Sequence, residues 1–181
     1  MMQEHKAYSG EMQRIMILGC SGSGKSTLAR VISAQLGNEV LHLDQCFWDP
    51  GWVKAPIEQF KKAHDDFIQK DKWIVDGNSR ITMPNRLLRA DTIIYLEFST
   101  LACLWSVMKR RFQYWGKARP DAAEGCLEQI DWDLFKFIWN YNQKMDPIVK
   151  DMLSQQKDKK IIILKGRKEV HNFIENLKKN A

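Results

Sequence analysis

A chain of 181 residues is about one domain's worth, long enough to bury ~70% of its unfolded surface in a core of its own. Hydrophobic residues at 44% and charged residues at 28% are ordinary globular usage, which excludes a disordered, collagen-like or fibrous chain. A formal net charge of +6 favours an anionic partner, nucleotide phosphate or nucleic acid, without choosing between them. No apolar run approaches the ~18–20 residues of a membrane span, and residues 1–14 lack the apolar stretch of an export signal. The expectation is a soluble cytoplasmic domain. The cysteines Cys20, Cys46, Cys103 and Cys126 have neither zinc nor disulfide-framework spacing and read as buried free thiols.

Residues 1–13 read as a loose polar tail and 14–181 as one domain. Arg14-Ile-Met-Ile-Leu is a near-continuous apolar run, the mark of a strand covered on both faces. It ends in a glycine-rich turn, and Lys25 to Leu36 follows as a helix with Leu28, Val31, Ile32 and Leu36 on one face and Gly37 as its stop. Glu39 to Leu43 is a second strand. Pro56 to Lys70 is a helix with Ile57, Phe60, Phe67 and Ile68 on one face, and Lys72 to Val75 is a third strand. Thr92 to Phe98 is a fourth strand, followed by a helix from Leu101 to Phe112 with Leu101, Leu104, Trp105 and Met108 at helical spacing. Tyr114 to Gly125 has no period and reads as a mobile excursion. A long helical stretch, Leu127 to Leu153, is interrupted at Pro147; Lys160 to Leu164 is a fifth strand, and Val170 to Leu177 a last helix. Alternating strands and helices imply right-handed crossovers and a parallel sheet covered on both faces.

The first strand runs into Gly19-Cys20-Ser21-Gly22-Ser23-Gly24-Lys25-Ser26-Thr27, a complete G-x-x-x-x-G-K-[ST] phosphate loop opening a helix. Glycines allow the tight turn that aims successive N–H groups at an anion, and the helix starting near Gly24 adds the positive end of its dipole. Lys25 is the mobile cation for the β and γ phosphates of ATP, and the Ser26 hydroxyl is the candidate Mg²⁺ ligand. The sequence lacks the N-K-x-D and D-x-x-G of GTPases and the Leu-Ser-Gly-Gly of transporter ATPases. A small-molecule kinase remains.

The phosphate loop, Asp44 in His-Leu-Asp-Gln-Cys-Phe-Trp, Trp73-Ile-Val-Asp-Gly-Asn, Arg119-Pro-Asp and Gly125-Cys together resemble the bacterial DNA topology modulation proteins, relatives of adenylate kinase, over Arg14 to Phe173. The resemblance implies a three-layer P-loop kinase fold. Its five-stranded sheet would have the order 2-3-1-4-5, with a substrate flap after strand two and an arginine-bearing lid over about residues 110–126. It implies an ATP- and Mg²⁺-dependent phosphotransferase acting on a small acceptor. The family name suggests the alternative of an ATP-regulated, DNA-associated protein.

By that resemblance Asp76 holds Mg²⁺-bound water and Arg80 binds the acceptor's phosphate, although Asn78-Ser79 replaces the Phe-Pro of adenylate kinases. Independently, a carboxylate such as Asp76 at the C-terminal end of a central parallel strand lies at the sheet's ligand crevice. Asp44, ending strand two, is the candidate general base or Mg²⁺-water ligand; a turn-capping aspartate is the plainer alternative. Trp48, in an aromatic cluster with Phe47 and Trp52, either stacks on the acceptor or packs the flap. Arg110, Arg111 and Arg119 belong to a basic run, Lys109 to Arg119, that would close over the transferring phosphoryl group; a solvated helix face is the plainer reading. Phe112, Tyr114 and Trp115 interleave with these cations, a pattern nucleic acid grooves also use. Arg167, just after strand five, is a candidate for stacking on adenine. The oligomeric state stays open.

Overall fold

The structure, a computed structural model, describes residues 12–180. Its elements in chain order are β1 (Arg14–Gly19), α1 (Lys25–Leu36), β2 (Glu39–His42), α2 (Leu43–Phe47), β3 (Trp48–Asp49), β4 (Val53–Lys54), α3 (Ile57–Phe67) and β5 (Trp73–Asp76). Then follow α4 (Met83–Arg89), β6 (Thr92–Glu97), α5 (Thr100–Gln113), α6 (Trp132–Lys144), α7 (Asp146–Ser154), β7 (Lys160–Lys165) and α8 (Gly166–Asn180). Most of the expected tail, residues 1–11, lies outside the described residues. Met12 is already buried, and the Asn38 side-chain amide donates to the carbonyls of Met12 and Gln13.

The five long strands form one parallel sheet in the order β2-β5-β1-β6-β7, which is 2-3-1-4-5 when these five are counted along the chain. Because side chains alternate across a strand, β1 feeds both layers. Ile15 and Ile17 join Leu28, Ile32, Ile138 and Phe173 on one face, whereas Met16 and Leu18 join Phe60, Ile68, Trp73 and Leu153 on the other. All four β1 side chains are fully buried, each favouring the fold by ~1.5–3 kcal/mol relative to exposure. The register aligns the strands' C-terminal ends: Ile17 and His42 both stand opposite Asp76, and Gly19 opposite Leu96. Everything that leaves these ends converges on one crevice.

Three elements were not legible as such in the sequence: the short helix α2, the β3–β4 hairpin and α4. α4 exists to deliver Arg86. Its guanidinium is fully buried and donates to the carbonyls of Gly77 and Ser79, both 3.0 Å away, so it pins the turn that follows β5. Burial pushes its pKa down to about 10, against the pull of the nearby Asp76 carboxylate. The α5 stripe Leu101, Trp105 and Met108 also departs from expectation: it faces outward, and the buried residues of that helix are Cys103 and Val107.

Arg86→Leu leaves two inward carbonyls without their donor. It should lower stability by ~2–4 kcal/mol in urea unfolding, and Arg86→Lys should recover less than half because an ammonium lacks the fork that spans both oxygens.

Candidate functional site

The phosphate loop turns between β1 and α1 on left-handed glycines: Gly22 has φ 85° and Gly24 φ 96°. At Gly22 a Cβ would come within 2.5 Å of the Cys103 carbonyl oxygen, so α5 packs directly beneath the loop and only glycine fits. Ser21 and Gly22 are half-buried, Ser23 is buried, and Thr27 is exposed on the first turn of α1. The Lys25 ammonium folds back and donates to the Cys20 carbonyl at 3.0 Å. Cys20 and Cys103 form a buried thiol pair under the loop; the Cys103 contact, and then burial, push the Cys20 thiol far up.

The crevice floor is built by the aligned strand ends. His42 Nδ1 and Asp76 Oδ1 are 2.7 Å apart, both buried, which fixes the Asp76 carboxylate at the end of β5. One residue beyond Gly77, Asn78 makes a reciprocal clamp on the phosphate loop: its Nδ2 donates to the Gly19 carbonyl at 2.6 Å, and Gly19 N–H donates back to Oδ1 at 3.3 Å. The asparagine that breaks the Phe-Pro pattern of adenylate kinases is thus spent on holding the loop.

Asp44, in the first turn of α2, overlooks this floor. Its side chain is 55% exposed to the cleft, yet the protein around the cleft still pushes its carboxyl above the ordinary range. Desolvation dominates, Arg119 and Lys25 pull it down, and Asp76 and Asp121 push it up. These named influences put Asp44, Asp76, Asp121, Lys25 and Arg119 around one space.

The roof is the segment between α5 and α6. Arg119 is nearly buried and meets three carboxylates: Nε lies 2.6 Å from Glu128 Oε2, Nη1 donates to Asp121 Oδ2 at 2.8 Å, and Nη2 lies 3.8 Å from Asp44 Oδ2. Glu128 also accepts from Arg110 Nε at 2.7 Å. Asp121 stands 3.8 Å from Arg30 Nη1 on α1, and its carboxyl is influenced by the Ser26 hydroxyl at the start of that helix. Burial opposes its ionisation, but Arg119, Ser26 and His42 hold its carboxyl below the ordinary value. The segment expected to be a mobile excursion is therefore packed and ion-paired in this structure.

The flap meets the same roof. Trp52 Nε1 donates to the Leu127 carbonyl at 2.8 Å, Gln45 Nε2 to Pro120 at 3.0 Å, and Gly51 N–H to Gly125 at 3.3 Å. Trp48 and Trp52, edge to face at 5.6 Å, pack on Ala122, Ala123 and Cys126. Of the two readings of the aromatic cluster, flap packing is the arrangement in this structure.

Other expected site residues lie elsewhere. Arg80 is exposed on the turn before α4. Arg111 stands over the Trp115 ring at 4.3 Å, on a different side of α5 from Arg110. Arg167 donates to Ser106 Oγ at 2.7 Å and ties the first turn of α8 to α5. Sequence reasoning missed His42, Asn78, Arg86, Asp121 and Glu128 as site residues. The signal for Asp121 was its place two residues after Arg119 in Arg-Pro-Asp, whereas nothing local marks Glu128 or Arg86.

Among the described residues, no cluster of three or more His, Cys, Asp or Glu is arranged to hold a metal ion unaided. Ser26, Asp44, Asp76 and Asp121 are hard oxygen donors around the loop. This suits Mg²⁺, which keeps its waters and takes one or two protein ligands beside phosphate oxygens.

Solved structures similar in fold include a shikimate kinase from Acinetobacter baumannii, with TM-score 0.59, 14% identity and coverage of 92% of this chain and 90% of that one. A gluconokinase from Sinorhizobium meliloti 1021 has TM-score 0.53 and 13% identity over 92% and 89% of the two chains. The fold is that of the P-loop kinases. A deoxyadenosine kinase from M. mycoides shares it at TM-score 0.50 and 16% identity, over 92% and 99%. No protein-family model and no curated protein matches the chain, so the resemblance to topology modulation proteins rests on its motifs alone.

Glu128→Ala strips both Arg110 and Arg119 of a buried partner. It should cost ~3–5 kcal/mol in denaturant unfolding and open residues 114–131 to limited proteolysis, while a surface change such as Lys62→Ala does neither.

Proposed function

We propose that this protein is a P-loop kinase that transfers the γ-phosphoryl group of Mg·ATP to a hydroxyl of a small acceptor. The observation that carries this reading is the facing pair of devices across one crevice: an intact phosphate loop with Lys25 and Ser26 below, and Arg119 with Asp44 above. Loop N–H groups and Lys25 hold the β and γ phosphates, and Arg119 lies where negative charge on the transferring group develops. Mg²⁺, when bound, would neutralise phosphate charge; Ser26 and Asp76 would hold it or its waters, with His42 fixing Asp76.

In the transfer, the acceptor oxygen forms a bond to Pγ, the bond from Pγ to the bridging oxygen of ADP breaks, and the acceptor's proton passes to Asp44. A carboxyl held above its ordinary pKa is a stronger base for that proton than a free aspartate. Arg119 must exchange part of its carboxylate shell for phosphate oxygens as nucleotide enters.

The acceptor end favours a hydroxyl compound over a phosphorylated one. Asp44, Asp76 and Asp121 crowd it, Arg86 is committed to the carbonyls of Gly77 and Ser79, and Arg80 points to solvent. The neighbours in fold are named for shikimate, gluconate and deoxyadenosine, all hydroxyl-bearing small molecules.

ADP production from Mg·ATP, measured across nucleosides, nucleoside monophosphates, sugars, sugar acids and polyols, should rise with a hydroxyl acceptor. That increment should fall by more than ~10³-fold in Lys25→Met with its fold retained. Stimulation confined to monophosphates would overturn the hydroxyl reading, and full turnover in Lys25→Met would overturn the kinase.

Asp44→Asn separates catalysis from stability. Because the folded-state pKa of Asp44 is raised above 3.8, the fold binds that proton more tightly than the unfolded chain does. Stability from this group is present at low pH and is lost as pH rises through the folded pKa. The amide should therefore keep or raise Tm at pH 8 while lowering kcat by ~10²–10⁴, and the acid limb of the wild-type rate profile should lie above pH ~4. A lower Tm with unchanged kcat would make Asp44 only a cap.

A further inference from the structure

Helix α5 carries an unpartnered face with the spacing of a helix-pairing seam. Cys103 and Val107 turn inward against the phosphate loop, while Leu101, Trp105, Met108 and Phe112 point out, 73%, 71%, 47% and 69% exposed, and Trp115, on the turn just beyond the helix, is 66% exposed. The steps of 4, 3 and 4 residues along the helix are those of the a and d positions of a heptad, which keep one stripe facing a partner helix. A helix on the surface of a lone domain is expected to turn polar residues outward. The outer face of α5 does the reverse.

The size of the stripe indicates what covers it. A fully buried aromatic side chain removes ~150–250 Å² from water, so at these exposures the five side chains present roughly 700 Å² of apolar surface. That exceeds the ~300–600 Å² of the largest patch on an ordinary monomer and approaches the ~800 Å² per partner of a stable interface. Neighbouring α6 adds exposed Trp132 and Trp139, each within 6 Å of the Phe135 ring in a stacked row. We propose that α5 is the dimerisation helix of this protein, pairing antiparallel with α5 of a second copy about a two-fold axis.

Charge selects both the partner and the orientation. α5 contains no acidic residue, and its cations Lys109, Arg110 and Arg111 all lie in its C-terminal half. Parallel pairing would stack like charges; antiparallel pairing sets that half against the uncharged stretch from Thr100 to Val107. A nucleic acid strand fits less well. Arg110 is bound to Glu128 and Arg111 lies over Trp115, so two of the three cations beside the stripe are already engaged. The phosphate loop rests on the opposite face of the same helix, and pairing therefore leaves the crevice open.

Sedimentation equilibrium between about 1 and 100 µM, the range that populates a homodimer of ~µM affinity, should give about twice the monomer mass of 21.2 kDa. Trp105→Glu with Phe112→Glu should weaken self-association more than ~100-fold with unchanged circular dichroism, whereas Leu88→Glu, on the exposed face of α4, should leave the mass unchanged. Met108→Lys alone is the milder variant should the double change perturb folding, and it should weaken the dimer at least ~10-fold. The wild type at monomer mass throughout, or a dimer that persists in the double variant, overturns the proposal. So does a monomer that binds labelled oligothymidylate in a manner the double variant abolishes, which would assign the stripe to nucleic acid.

Discussion

Arg119 is the group on which the roof of the crevice depends. A nearly buried guanidinium cannot stand alone in a poorly solvated site, and here Asp44, Asp121 and Glu128 surround it at once. Those carboxylates come from the flap helix α2, from the lid segment itself and from the strand of chain returning toward α6. Satisfying one cation therefore joins three parts of the chain, and the Gln45–Pro120 and Trp52–Leu127 hydrogen bonds tie the same parts together. The same arrangement holds the Arg119 guanidinium beside Asp44 and Asp121 on the crevice side of the roof.

Beneath the roof, the geometry follows from the sheet. Parallel strands with aligned C-terminal ends put His42, Asp76 and Gly19 side by side, and the turn after β5 then places Asn78 against the phosphate loop. Arg86 holds that turn from below through the Gly77 and Ser79 carbonyls. The loop, the turn and the Asp76 carboxylate thus form one floor, and Asp44 and Asp121 stand on the elements above it.

α5 serves both levels. Its inner face is packed so closely under the loop that Gly22 has no room for a side chain, and its C-terminal turn supplies Arg110 to Glu128. Its outer face is apolar over the same length. A helix with both faces engaged would be held more firmly than one bounded by solvent, so pairing between copies would brace the phosphate loop from behind.

Periodicity and motif determined much of this protein before any coordinates. The apolar run of β1, the helix from Lys25 to its Gly37 stop, the parallel order and the phosphate loop are local signals, because a buried strand needs a continuous apolar run and an anion-binding turn needs glycine at fixed offsets. Asp44, Asp76 and Arg119 were also legible as candidates, each sitting at a strand end or in a charged run. What the tertiary structure alone decided is who meets whom. Glu128 looks like any surface glutamate until the chain returns it to Arg110 and Arg119, and Arg86 like any helix arginine until it is found buried under the Gly77 turn. Helical spacing in α5 shows that Leu101, Trp105 and Met108 share a face, but not which way it points. That direction is set by Cys103 and Val107 packing beneath the phosphate loop, a contact between segments some eighty residues apart that no local pattern encodes.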